Sequence, residues 1–283
     1  MALRSEAIKR RASGAEGESD HARDAENPLY ARTSRSGFVK AILFGATRGI
    51  GRALARMLAE RGSEIVLLGR DAGELARSGA DLEARGAAGR VLAAACDLED
   101  AEAFGPALDA AFTGLGGADL VVVTAGAFAI QERLEADAGL CQHVLDLDFT
   151  KTILFCEQAR RRLLAGGGGT LCVFSSVAGD RARKPVALYG AAKAGLDHYL
   201  DGLDLRFREQ GLRVVNVKPG FVHTAMTQGM KAPPFAASPE TVAVAALRGI
   251  ERGRRVVYAP AIWRVVMTAV CALPRPLLRR STF

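Results

Sequence analysis

The chain has little of what would mark it as a secreted, metal-binding or membrane-spanning protein. Its five cysteines, Cys96, Cys141, Cys156, Cys172 and Cys271, are odd in number and show no CxxC or histidine-flanked spacing. Neither a disulfide framework nor a metal site is therefore expected, and a reducing, cytoplasmic setting is. Apolar runs fall short of the ~20 residues that cross a bilayer. No GxSxG turn is present to support a serine hydrolase using Ser175 or Ser176 with His198 or His223. With a single Trp and no recognisable nucleic-acid motif, a nucleic-acid partner is not expected. Residues 1–36 are polar, mix both charge signs and lack the apolar stretch of a secretory signal, so a disordered tail is the reading there.

What is present points to one α/β domain. A chain of 283 residues that is 49% hydrophobic can bury a substantial core. From Phe38 onward, strand-like and helix-like runs alternate, the pattern of a parallel sheet with right-handed crossovers. Strands are expected at 38–44, 64–69, 90–95, 119–123, 169–175, 213–218 and 255–258, and helices at 49–61, 71–86, 100–114, 138–165, 186–210 and 239–252. Their apolar runs are continuous, as strands covered on both faces require. The expected fold is a Rossmann-like, doubly wound, seven-stranded parallel sheet. It forms one domain over residues 37–255 with a short extension over 256–283.

Three motifs carry the chemistry. GATRGIG, Gly45 to Gly51, follows a strand and opens a helix. There glycines allow a tight turn, close approach of backbone to a pyrophosphate and close helix packing, while the helix N-terminus offers free N–H groups to the anion. Tyr189 and Lys193 in YGAAK lie four apart, hence on one helix face. A cation beside a phenol favours the phenolate and lowers its pKa, which suits the phenol to proton transfer. Ser176 closes the apolar run TLCVFSS upstream.

Together these motifs resemble the short-chain dehydrogenase/reductase family of NAD(P)-dependent oxidoreductases, from about Phe38 to about Met226, with Pro219, Gly220 and Thr224 of PGFVHT completing the series. Three positions depart from its pattern. Phe44 stands where Thr usually precedes the first glycine, VTAG (Val123 to Gly126) replaces NNAG, and Asp148 occupies the place of a catalytic Asn. A carboxylate only accepts hydrogen bonds, whereas an amide also donates, so Asp148 does not reproduce the Asn role in full, but it stands among the catalytic candidates as a residue that could still anchor a water.

The resemblance implies hydride transfer between nicotinamide and a carbonyl or alcohol carbon. Tyr189 would give its proton to the carbonyl oxygen, Ser176 would polarise that oxygen, and Lys193 would bind the nicotinamide ribose and tune Tyr189. The cofactor would be held by Gly45, Thr47, Arg48, Gly49, Ile50, Gly51, Arg70, Asp97, Leu98, Ala125, Gly126, Pro219, Gly220, Val222 and Thr224, besides Tyr189 and Lys193. Asp97 and Leu98 would meet the adenine, and Thr224 the carboxamide or the phosphates. Arg70 stands near where NAD-preferring relatives carry a ribose-binding Asp, and Arg48 lies in the glycine turn. Arginine pairs with a 2′-phosphate, so NADP(H) is favoured over NAD(H).

The segment His223 to Pro239 sits where the family has its variable substrate lid, and its Met, Phe and Pro content suggests an apolar cover. Beyond Pro260 lies an apolar run of about a dozen residues. From Arg248 to Phe283 there are eight Arg against one acid, Glu251. Basic residues flanking an apolar helix attract anionic lipid headgroups, which suggests peripheral membrane contact; packing on the sheet or on a second subunit is the alternative. The tail, with the stretch around YGAAK, also resembles the decaprenylphosphoryl-2-keto-ribose reductase branch, which would imply a lipid-linked carbonyl substrate. Reduction of small soluble 3-oxoacyl-type ketones and a non-catalytic NAD(P)-binding regulator are the alternatives. Family members often pair through the two long helices, so a homodimer or homotetramer is implied.

Overall fold

The apolar run that leads into the glycine turn becomes an interior strand of the sheet. In the computed structural model, which describes residues 39–89 and 91–280, strand β1 (Lys40–Phe44) pairs in parallel with β2 (Glu64–Gly69) on one side. Strand β3 (Leu92–Ala95) lies beyond β2. On the other side of β1 follow β4 (Leu120–Val123), β5 (Gly169–Phe174), β6 (Leu212–Pro219) and β7 (Val256–Ala259). All seven strands are parallel in the order β3-β2-β1-β4-β5-β6-β7, the doubly wound sheet expected. Winding reverses between β1 and β4, which opens a crevice at their carboxyl ends. The tail expected over residues 1–36 lies outside the described residues.

Ten helices occur among the described residues. In chain order they are α1 (Gly49–Ala59), α2 (Ala72–Ala84), α3 (Phe104–Leu115), α4 (Gln131–Ala136) and α5 (Ala138–Leu145). After them come α6 (Thr152–Ala165), α7 (Ala187–Phe207), α8 (Pro239–Glu251), α9 (Ile262–Ala272) and α10 (Arg275–Arg280). Side chains alternate across each strand. Ala41 and Leu43 therefore join Leu54 of α1, Leu75 of α2 and Val242 of α8 on one face. Ile42 and Phe44 join Phe104 of α3, Phe155 of α6 and Leu200 of α7 on the other.

Three features differ from the sequence expectation. The helix expected over 138–165 is interrupted by a π-helical turn, Asp146–Lys151, where Thr152 Oγ1 donates to Leu147 O at 2.7 Å. Such a turn widens the helix locally and redirects its side chains. The short helix α4 carries no long apolar period and was not expected. Strand β3 is the sheet's edge and is largely exposed, with Leu92 at 37%, so its apolar run is not covered on both faces.

Phe44 has a packing reason to replace Thr. Its ring lies 4.6 Å from Phe155 and 6.3 Å from Phe104, and those two rings meet edge-on at 5.4 Å. The three rings fill the space beneath the crevice, and Phe104 and Phe155 have no exposure to solvent. Truncation of Phe155 to Ala removes the middle ring and is expected to cost about 3–5 kcal/mol of stability, read as a fall in the urea midpoint with little change in slope.

Candidate active site

The glycine turn is shaped by close approach. Gly45 has φ +90°, and a Cβ there would lie 2.6 Å from Ala125 N. A Cβ on Gly51 would lie 2.6 Å from Gly45 O, so side chains at either position would force β1, the turn and β4 apart. Thr124, which replaces the Asn of NNAG, donates its hydroxyl toward Phe44 O at 3.1 Å and Gly45 O at 3.0 Å. It thereby ties β4 to the turn. No side chain caps the start of α1, where Arg48 is the N-cap, so the first-turn N–H groups face the crevice as an anion site. Thr224 packs against Gly49, 3.3 Å from where its Cβ would be, which sets the residue after PG over the phosphate turn. These residues fit a dinucleotide laid across the carboxyl ends of β1 and β4.

Arg48, Arg70, Asp97 and Leu98 line the end of the cleft beyond β2 and β3. Arg70 is 71% exposed and reaches Glu99 at 3.7 Å, a weak surface pair. Asp71 beside it turns away to cap α2, accepting from Glu74 N at 2.8 Å. The backbone bond to Glu74 holds its carboxyl below the usual range.

Ser176, Tyr189 and Lys193 come together because small residues let α7 approach the short turn Val177–Gly179 that follows β5. A Cβ on Gly190 would lie 2.8 Å from Ala178 O, and one on Gly179 would lie 2.9 Å from the carbonyl carbon of Lys193. Ser175 Oγ donates to Lys193 O at 3.4 Å, and Ser176 Oγ accepts from Ala178 N at 3.1 Å. Tyr189 meets Phe128 edge-on at 5.0 Å, and Lys193 Nζ lies 5.6 Å from the phenol ring centre.

Beneath them sits Asp148, carried inward by the π-turn. Its Oδ1 lies 3.3 Å from Lys193 Nζ and accepts from Ala127 N at 3.0 Å, while Oδ2 is buried without a hydrogen-bond partner. Gly126 makes the room, since a Cβ there would lie 2.6 Å from Asp148 Oδ1. Burial pushes the Asp148 carboxyl up, against the pull of Lys193 and the Ala127 N–H. Burial draws Lys193 down, but Asp148 and Tyr189 more than reverse that.

One expectation about Tyr189 is corrected by this arrangement. The phenol's pKa lies above its usual value, because burial raises it and the charge of Asp148 adds to that, together exceeding the lowering effects of Lys193 and Ser176. The ammonium is shared with a carboxylate 3.3 Å away, so it cannot act as a free cation beside the phenol.

All the cofactor and catalytic candidates named from the sequence line one cleft of about 820 Å³. His198 and His223 do not line it, which leaves Ser175 and Ser176 without a histidine base. The C-terminal extension packs on the body: Trp263, Met267 and Val270 of α9 form an apolar cluster with Val177. Among the described residues, no helix is long and apolar enough to cross a membrane. Sequence reasoning missed Phe128, Arg183 and Trp263, all of which line the cleft. Nothing in their local pattern signals it, since each is brought in from a loop or from the extension.

The comparisons agree with this geometry. The profile of the short chain dehydrogenase family matches residues 40–234. An uncharacterized oxidoreductase of Mycobacterium tuberculosis is 36% identical over 245 residues, covering 87% of this chain and 98% of that protein. Another from Streptomyces coelicolor is 37% identical over 243 residues, covering 84% and 94%. The crystal structure of a putative short-chain alcohol dehydrogenase from Sinorhizobium meliloti superposes with a TM-score of 0.69 at 26% identity, covering 77% of this chain and 93% of that one. The chain therefore belongs to the short-chain dehydrogenase/reductase family of NAD(P)-dependent oxidoreductases.

Proposed function

We propose that this protein reduces a carbonyl group to an alcohol with NADPH, on a lipophilic substrate. The observation that carries the reading is the convergence of the Tyr189 phenol, the Ser176 hydroxyl and the buried Lys193–Asp148 pair on one cleft. A phenol held above its usual pKa stays protonated at neutral pH, which suits it to donate, and donation to a carbonyl oxygen is the acid step of reduction. NADPH supplies the hydride when bound. Ser176 donates to the same oxygen and fixes its position, and Lys193, paired with Asp148, would hold the ribose side of the cofactor.

Arg48 and Arg70 favour NADPH, because both are exposed cations at the cleft end beyond β2, Asp71 is engaged in capping α2, and the pair of Arg70 with Glu99 is a weak surface contact that a 2′-phosphate could displace. The lid residues Met226, Met230 and Pro233 line the opposite end and suit an apolar substrate body. Ile262, Val265 and Leu277 are exposed on the extension, among Arg264, Arg275, Arg279 and Arg280. That pattern supports delivery of substrate from an anionic lipid surface, including a lipid-linked one. Leu154 of α6 and Leu205 of α7, 45% and 71% exposed, support pairing of two chains through those helices.

The decisive test follows NADPH oxidation with ketones of increasing chain length, with and without anionic vesicles. Turnover should rise with chain length, and Tyr189→Phe should lose about 10²–10⁴-fold. Equal rates in the variant would defeat the reading. Reduction needs the protonated phenol, so its rate should fall only as alkaline pH passes the raised pKa. Asp148→Asn removes a charge that raises that pKa, and the alkaline limb of kcat/KM should move to lower pH. Replacing Arg48 and Arg70 together by Ala should raise KM for NADPH about tenfold or more while leaving KM for NADH little changed.

A further inference from the structure

The substrate half of the cleft holds a cation, Arg183, whose Nε lacks a hydrogen-bond partner. Arg183 lines the cleft beside Val177, Val186 and Tyr189. Its Nε is buried and has no hydrogen-bond partner. The charge of Asp180 acts on it through space, but Asp180 Oδ1 lies 2.5 Å from Lys218 Nζ and is paired there. Trp263 lines the same cleft, is 8% exposed, and its indole Nε1 is likewise buried without a partner. The indole edge lies against Gly220, where any side chain would collide with it.

Both groups are held in place. Trp263 shares an apolar cluster with Val177, the residue after Ser176. The loop that carries Arg183 is strapped by the C-terminal helices: Arg181 donates to Leu273 O at 3.4 Å, and Lys184 donates to Arg279 O. The other charges in the cleft are distributed differently. Asp71, Glu74, Asp97 and Glu99 lie at the opposite end with Arg48 and Arg70, and Lys193 is paired with Asp148.

Leaving the Nε of a half-buried guanidinium and a buried indole N–H without acceptors is costly, because each has lost water and gained no hydrogen bond in exchange. Indole is a donor only, and guanidinium is a planar fork of donors that matches a carboxylate or phosphate. A ligand that brings oxygen acceptors with negative charge satisfies both. We propose that Arg183 and Trp263 form an oxyanion subsite, so that the substrate carries a carboxylate or phosphate group in addition to its carbonyl. The proposal rests on the reading of this cleft as the site of carbonyl reduction, and it narrows that reading from a lipophilic ketone to an amphiphilic, anionic one.

Trp263 is the only tryptophan in the chain, so intrinsic fluorescence reports on the subsite directly. The full-length protein, saturated with NADP+ to prevent turnover, is titrated with 4-oxopentanoate against its methyl ester, and with dihydroxyacetone phosphate against dihydroxyacetone. At least one anion should produce a saturable change at a concentration tenfold or more below that of its neutral counterpart. The pair with the larger ratio identifies carboxylate or phosphate as the group. Arg183→Gln should abolish the preference, and Arg183→Lys, which keeps the charge, should retain part of it and so separate lost recognition from lost folding. Equal binding of charged and neutral probes would overturn the subsite, as would a preference that survives in Arg183→Gln. Weakened NADP+ binding in Arg183→Gln with the preference intact would assign Arg183 to the cofactor instead and overturn it too. An Arg183-dependent preference in a protein that reduces none of these ketones would leave the subsite standing and remove the reductase reading.

Discussion

A carboxylate and an ammonium, both buried and 3.3 Å apart, govern the cleft above them. Neither charge is tolerable there alone, since an unpaired buried ion is strongly destabilising. The charge of Asp148 opposes the positive field that Lys193 casts on Tyr189 and offsets part of it. The surrounding architecture serves this pair. The π-turn brings Asp148 inward, Gly126 gives it space, and Gly179 and Gly190 let α7 close on the strand that ends at Ser175 and Ser176. A methyl group at any of those glycines would push apart elements that must touch.

The sheet positions the pair without contributing to its chemistry. Parallel strands place every functional loop at one edge, and the reversal of winding between β1 and β4 leaves that edge open. Phe44, Phe104 and Phe155 close the floor from below. The glycine turn offers backbone N–H groups and glycines, which carry no net charge, while Arg48 and Arg70 stand at one extremity of the cleft and Met226 and Met230 line it elsewhere.

The C-terminal extension ties one wall of the cleft to the fold. Its helix α9 contributes Trp263 to the cleft wall and packs on Val177, one residue from Ser176. Its last turns hold the loop of Arg181, Arg183 and Lys184. An apolar helix with basic flanks thus has two faces with separate tasks: the inner one builds the site, and the outer one presents Ile262 and Val265 with Arg264.

By itself the sequence determined the alternation of strands and helices, the glycine turn, and the spacing that sets Tyr189 and Lys193 on one face of a helix. Those features are local: apolar period, glycine placement and the i, i+4 geometry act within a few residues. It also carried the departure at Asp148, but not what that departure does. Only the tertiary structure decided that Asp148 reaches Lys193, because the π-turn that breaks the helix over 138–165 brings it against a residue of another helix, α7. The same holds for the raised pKa of Tyr189, which comes from burial and from a charge forty-one positions upstream, and for Arg183 and Trp263, which meet the cleft from a loop and a terminal helix. Burial and electrostatic coupling depend on distance in space, and no reading of neighbouring residues along the chain contains that distance.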